Sequence, residues 1–149
     1  YRRAARGLTT TLVAVLAAAV PAQAREGVWA VAHIQNLGWG DPNPDFVGTT
    51  GQSLRLEALQ LVDPVADIQG HVQNLGWGGW TQVGVVGTTG QSLRLEAIRI
   101  QGRFGNHITC SAHVENLGWL PPVGDGEVCG TTGQSLRLEA VMLTIVRAE

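Results

Sequence analysis

Apolar and polar positions alternate with a period of two along the regular parts of this chain. Ala30, Ala32 and Ile34 fall on one face, and Val31, His33 and Gln35 on the other. The same pattern sets Cys110, Ala112 and Val114 against Ser111, His113 and Glu115. A period of two predicts strands, here with one small apolar face. Asn-Leu-Gly then breaks the pattern at Asn36, Asn74 and Asn116, two residues before Gly38, Gly76 and Gly118. Asn and Gly tolerate positive φ, so a tight turn or bulge is predicted there. A further strand is predicted over Ser53 to Ala58, with Leu54, Leu56 and Ala58 facing one way and Ser53, Arg55 and Glu57 the other. Leu, Arg, Glu and Ala also favour helix. The run continues into Leu61 and Val62, into Ile98 and Ile100, and into Leu143 and Ile145, and the flanking Gly-Gln with the β-branched residues of the later copies decides for strand. That continuation predicts a strand end apolar on both faces, as between two layers.

The pattern is triplicated. GTTGQSLRLEA occurs at Gly48 to Ala58, Gly87 to Ala97 and Gly130 to Ala140, letter for letter. Ahead of each copy stands HIQNLGW, HVQNLGW or HVENLGW, beginning at His33, His71 and His113, so that the period is 38 and then 42 residues. Such a period marks one supersecondary unit used repeatedly. Units are expected at about 28–63, 64–103 and 104–149. Between the constant phrases lie unequal segments rich in Pro and Gly, which read as surface loops or edge strands. The predicted fold is all-β and pseudo-threefold. A β-prism is favoured and a β-trefoil is the alternative, since either removes most exposed strand edges.

Residues 1–24 are of another kind. A basic start (Arg2, Arg3, Arg6), an apolar run from Leu12 to Val20 and the small-x-small end Ala22-Gln23-Ala24 predict a secretory signal peptide cleaved after Ala24. The run is too short to span a bilayer. Residues 25–149 are then expected as one all-β domain, with 7 Arg, no Lys and 12 acidic residues. Dispersed arginines on an acidic chain argue against nucleic acid as a partner. Cys110 and Cys129 occupy positions that are apolar in the other repeats (Ala30 and Ile68; Val47 and Val86). A disulfide in place of a core contact is expected, and export would permit it.

The two phrases together, His-[Ile/Val]-[Gln/Glu]-Asn-Leu-Gly-Trp and the repeated undecapeptide, resemble the ChW repeat, the clostridial hydrophobic repeat with conserved tryptophan. The resemblance covers residues 25–149 as three tandem copies. It implies a bacterial protein, secreted or on the cell surface, that binds extracellular polymers or other proteins. Glu115 departs from Gln35 and Gln73, which changes the charge of the third copy.

Candidate binding residues are those repeated or singled out by the pattern. Trp39, Trp77 and Trp119 are either sugar-stacking platforms or plugs of their own repeat. Trp80, unique to the second variable segment, is expected at the surface. Asn36, Asn74 and Asn116 suit sugar hydroxyls or their own Asx turns. Arg55 with Glu57, Arg94 with Glu96, and Arg137 with Glu139 could grip paired hydroxyls or form structural ion pairs. His33, His71 and His113 are expected in hydrogen-bonded structural roles rather than on a metal, and His107 reads as loop. Neither a carboxylate pair, a nucleophile elbow nor a metal signature stands out, so no catalytic residues, metal or cofactor are assigned. The expected activity is multivalent binding of an extracellular polysaccharide or glycan. The alternative is adhesion or docking to a cell-surface protein.

Overall fold

The computed structural model describes residues 25–148. The signal peptide predicted over residues 1–24 lies outside the described residues. After β1 (Arg25–Gly27), the first repeat runs through β2 (Ala30–Ile34), β3 (Gly38–Trp39), β4 (Val47–Gly48) and β5 (Leu56–Leu61). The second comprises β6 (Ala66–Val72), β7 (Gly76–Trp77), β8 (Val86–Gly87) and β9 (Leu95–Gly102). The third comprises β10 (His107–Val114), β11 (Gly118–Trp119), β12 (Cys129–Gly130) and β13 (Leu138–Val146). None of the described residues forms a helix long and apolar enough to cross a membrane.

Within each repeat the two long strands pair antiparallel, and the Gly-Trp strand extends the first of them. The remaining short strand, third in chain order, leaves its own repeat. β8 pairs with β5 of the first repeat, β12 with β9 of the second, and β4 with β13 of the third. This exchange is cyclic and closes after three units. Each of the three sheets is thereby completed by a neighbour, and β1 adds to β13 in the last. The architecture is all-β and prism-like, and the three sheets do not close into the barrel that a trefoil requires. Their inner faces share one core, including Leu56, Leu59, Ile68, Leu95, Ile98, Leu138 and Val141.

The second long strand departs from simple alternation. His33 faces Ala58 across the ladder and Ile34 faces Leu56, so Glu57 is the extra residue of a β-bulge. The same slip occurs at His71/Val72 and His113/Val114. Leu56 and Leu59 can therefore both enter the core, while Ala58 shares the outer face with His33. Regular strand begins only at Leu56. Ser53, Ser92 and Ser135 precede it with φ of 55–56°, in a left-handed turn rather than the strand expected from their sequence. Nor is the strand end buried on both faces: Gln60 and Arg99 are half-exposed and Met142 is exposed.

The repeated glycine at the head of the undecapeptide is required by the exchange. Gly48, Gly87 and Gly130 have φ of 106, 90 and 110°. A Cβ at Gly130 would lie 2.6 Å from the Glu96 carbonyl oxygen, and at Gly48 and Gly87 it would press closer still on Glu139 and Glu57. The following N–H groups complete the contact. Thr49 donates to the Glu139 carbonyl at 3.0 Å, Thr88 to Glu57 at 3.0 Å and Thr131 to Glu96 at 3.2 Å.

In the third repeat Cys110 of β10 and Cys129 of β12 form the expected disulfide, both buried, with Cα atoms 6.1 Å apart. It ties a core strand of one sheet to the strand donated to the next. Nearby, the loop residue Asp125 clamps the β9–β10 connection. Its carboxylate accepts from the N–H of Gly102 (2.8 Å) and of Ile108 (3.1 Å), and meets His107 Nδ1 at 2.9 Å. His107 thus opens β10 instead of lying in a loop. Burial raises the Asp125 pKa, but the bonds from Gly102, His107 and Ile108 outweigh it and hold the carboxyl below its ordinary value.

Two outcomes are expected. Gly87→Ala should destabilise the fold by roughly 3 kcal/mol or more in chemical denaturation, because it adds both strain and a collision at the repeat junction. An unchanged midpoint would show that the junction has slack. Because the folded Asp125 pKa is depressed, its stabilisation is present above the ordinary carboxylate range and lost as pH falls through the folded pKa. The stability difference between the native chain and Asp125→Asn should accordingly shrink on acidification. A difference that stays constant down to the acid transition would contradict the clamp.

Candidate functional site

Each repeat builds the same chain of contacts outward from its buried glutamate. Glu57, Glu96 and Glu139 are only 5–6% exposed. One carboxylate oxygen accepts from the Nε of the arginine two residues earlier, at 2.8 Å in Arg55, Arg94 and Arg137 alike. The other faces a histidine Nδ1 on the neighbouring strand. For His113 and Glu139 this is a hydrogen bond of 3.0 Å. For His33 and His71 the separation is 3.1 Å, within ion-pair reach but too oblique for a hydrogen bond. The bulge places the carboxylate between its two partners, and a buried carboxylate needs such partners. The i, i+2 Arg–Glu pairs are thus structural ion pairs with the glutamate withdrawn from solvent.

Beyond the histidine stands the tryptophan. Trp39, Trp77 and Trp119 lie directly across the ladder from His33, His71 and His113. The ring pairs meet edge to face, with centroids 5.1–5.3 Å apart. Trp39 is 44% and Trp119 42% exposed, and Trp77 is half-buried, so none of the three plugs the core. They are indoles braced on the outer surface.

Residues 33–62, 71–101 and 113–147 match the family described as ChW, Clostridial hydrophobic W. The chain belongs to this family. No curated protein and no solved structure matches it.

The ChW tryptophans share a setting but not their surroundings. The guanidinium of Arg99 lies 4.6 Å from the ring centre of Trp77, as a cation–π contact. Trp77 also borders a cleft of about 210 Å³ together with Leu75, Val85 and a run of glycines. Phe46, from the first repeat's variable loop, meets Trp119 edge-on at 6.0 Å across the repeat junction. A smaller cleft of about 170 Å³, bordered by Asp41, Asn43 and Phe46, occupies the corner of the first repeat. Trp80 is exposed in its loop, as expected. Asn36, Asn74 and Asn116 hold φ of 64–67° in exposed turns, which accounts for Asn at that position.

The arginines face elsewhere. Arg55, Arg94 and Arg137 converge on a polar cavity of about 410 Å³, with Gln35, Gln73, Glu115 and Ser53, Ser92 and Ser135. All three repeats supply equivalent positions, which puts this cavity on the pseudo-threefold axis. In the second repeat Trp77 and Arg94 therefore lie at different openings: Trp77 borders a flank cleft and Arg94 the axial cavity, and neither Asn74 nor Glu96 lines either one. The axial meeting of the arginines was not foreseen from sequence. Its signal was the one change of charge within the repeated phrases, Glu115 for Gln35 and Gln73.

Exposure of the indoles gives a direct check. Acrylamide should quench most of the tryptophan fluorescence of the folded protein, and replacing Trp77, the most covered ring, should remove the least accessible fraction. Fluorescence protected in the native state and released only on unfolding would contradict the surface placement.

Proposed function

We propose that this ChW protein is a secreted, non-catalytic module that binds an extracellular polysaccharide through several tryptophan platforms. The observation that carries this reading is the set of three indoles on the outer surface, each braced by a histidine of its own repeat. A half-exposed indole held in one orientation offers an apolar face and one N–H donor at little entropic cost, which suits stacking on a sugar ring. Three such platforms give a weak single contact the means to act by avidity on a polymer. The unequal neighbours of Trp39, Trp77 and Trp119 make the three sites unequal in strength. Trp80 extends the aromatic surface into the second variable loop.

Secretion is supported by the leader-like first 24 residues and by the disulfide. A non-catalytic role is supported by the three glutamates, whose surroundings are alike, whereas acid–base chemistry on sugars needs two carboxyls in different settings at one site.

A second reading, docking to a cell-surface protein, is favoured by Leu37, Leu75 and Leu117, which stand 50–62% exposed at the Asn-Leu-Gly turns. Sedimentation with insoluble cell-wall polysaccharides separates the two. The native chain should co-sediment, and Trp39→Ala should weaken it by about tenfold, on the order of one lost stacking contact. Absence of binding across plant, fungal and bacterial wall polysaccharides, with the leucine turns captured by a protein partner, would replace the first reading by the second.

A further inference from the structure

The axial cavity has a donor inventory that the flanking tryptophans do not share. In the first repeat the N–H of Arg55 donates to Gln35 Oε1 at 3.2 Å, and in the second the N–H of Arg94 donates to Gln73 Oε1 at 3.1 Å. A backbone N–H can only donate, so it fixes the amide oxygen toward itself and leaves the NH2 group of each glutamine uncommitted. The guanidinium groups of Arg55 and Arg94 are held by Glu57 and Glu96 and have no further side-chain partner among the described residues. Each Arg has five N–H donors, so several remain on each. Two sides of the cavity thus present guanidinium and amide donors, and the three serines add hydroxyls.

The third side is different. Glu115 Oε1 takes the place of the glutamine oxygen and accepts from the Arg137 N–H at 3.0 Å. Its Oε2 meets Arg137 Nη1 at 2.9 Å, while Arg137 Nε is bound to Glu139 at 2.8 Å. Arg137 is therefore occupied by two carboxylates, and this side offers no spare amide donor.

From this we infer that the axial cavity is a second binding site, independent of the tryptophan platforms, which takes a carboxylate-bearing ligand of about monosaccharide size between Arg55–Gln35 and Arg94–Gln73. A cavity of about 410 Å³ is within the range of small-ligand sites. Paired planar donors match a carboxylate, and the serines match ring hydroxyls. Glu115 makes the site selective by repelling anions that cannot settle on the far side, so it lowers affinity while fixing orientation.

The test is titration of the full chain with D-galacturonate, D-galactose and acetate, followed by NMR of the side-chain NH2 resonances of Gln35 and Gln73. Galacturonate should shift both resonances and galactose should not, and added salt should weaken the effect. Glu115→Gln, which restores the pattern of the other two repeats, should raise the affinity for galacturonate by roughly fivefold or more. Arg94→Gln should abolish the shifts, with Val62→Ala, at an exposed position away from both sites, leaving them unchanged as a folded control. Acetate should bind more weakly than galacturonate, because it lacks the ring hydroxyls, and equal binding of acetate would overturn the monosaccharide-sized site. Equal response to galactose, no response to any of the three, or weaker binding by Glu115→Gln would overturn the proposal.

Discussion

The carbonyl oxygen of Glu57 accepts a hydrogen bond from Thr88 of the next repeat, while its carboxylate holds Arg55 on one side and His33 on the other. Glu96 and Glu139 do the same with Thr131 and Thr49. One residue per repeat therefore joins three things: closure of the ring of sheets, the brace behind the tryptophan and the seat of the axial arginine. It can do so because it is the bulged residue, released from its own ladder at the point where the neighbour's strand arrives. A repeat alone would leave that carbonyl and the strand edge beside it unpaired, and closure after three leaves no such edge.

The close approach explains why the sequence tolerates so little change there. Gly48, Gly87 and Gly130 admit no Cβ, and Ala58, Ala97 and Ala140 beneath them are fully buried but outside the main core. The letter-for-letter repetition is thus largely the trace of one junction made three times. The segments that are free to differ, those carrying Phe46, Trp80 and Asp125, lie over the corners and set the individual character of each flank.

Much of this was legible beforehand. The period of the chain gave the threefold plan, period-two alternation gave the first strand of each repeat, and Asn-Leu-Gly gave the turn. The apolar positions of Cys110 and Cys129 gave the disulfide. What could not be read was register. Alternation in Ser-Leu-Arg-Leu-Glu-Ala implies an unbroken pleat, and only the pairing partner reveals that Glu57 is skipped. A strand that joins a neighbouring sheet leaves no local mark either, since two residues such as Val86-Gly87 look the same in a loop. For the same reason the arginines and tryptophans, close in sequence pattern, came to lie at different openings of the molecule.

Native-state hydrogen exchange of the Thr49, Thr88 and Thr131 amides tests the closure most directly. If the three repeats depend on one another through these bonds, all three protons exchange only with global unfolding, at one common free energy shared with the interiors of β5, β9 and β13. Exchange of any of the three through a separate, lower-energy opening, with the sheet interiors still protected, would show that the repeats stand without their neighbours.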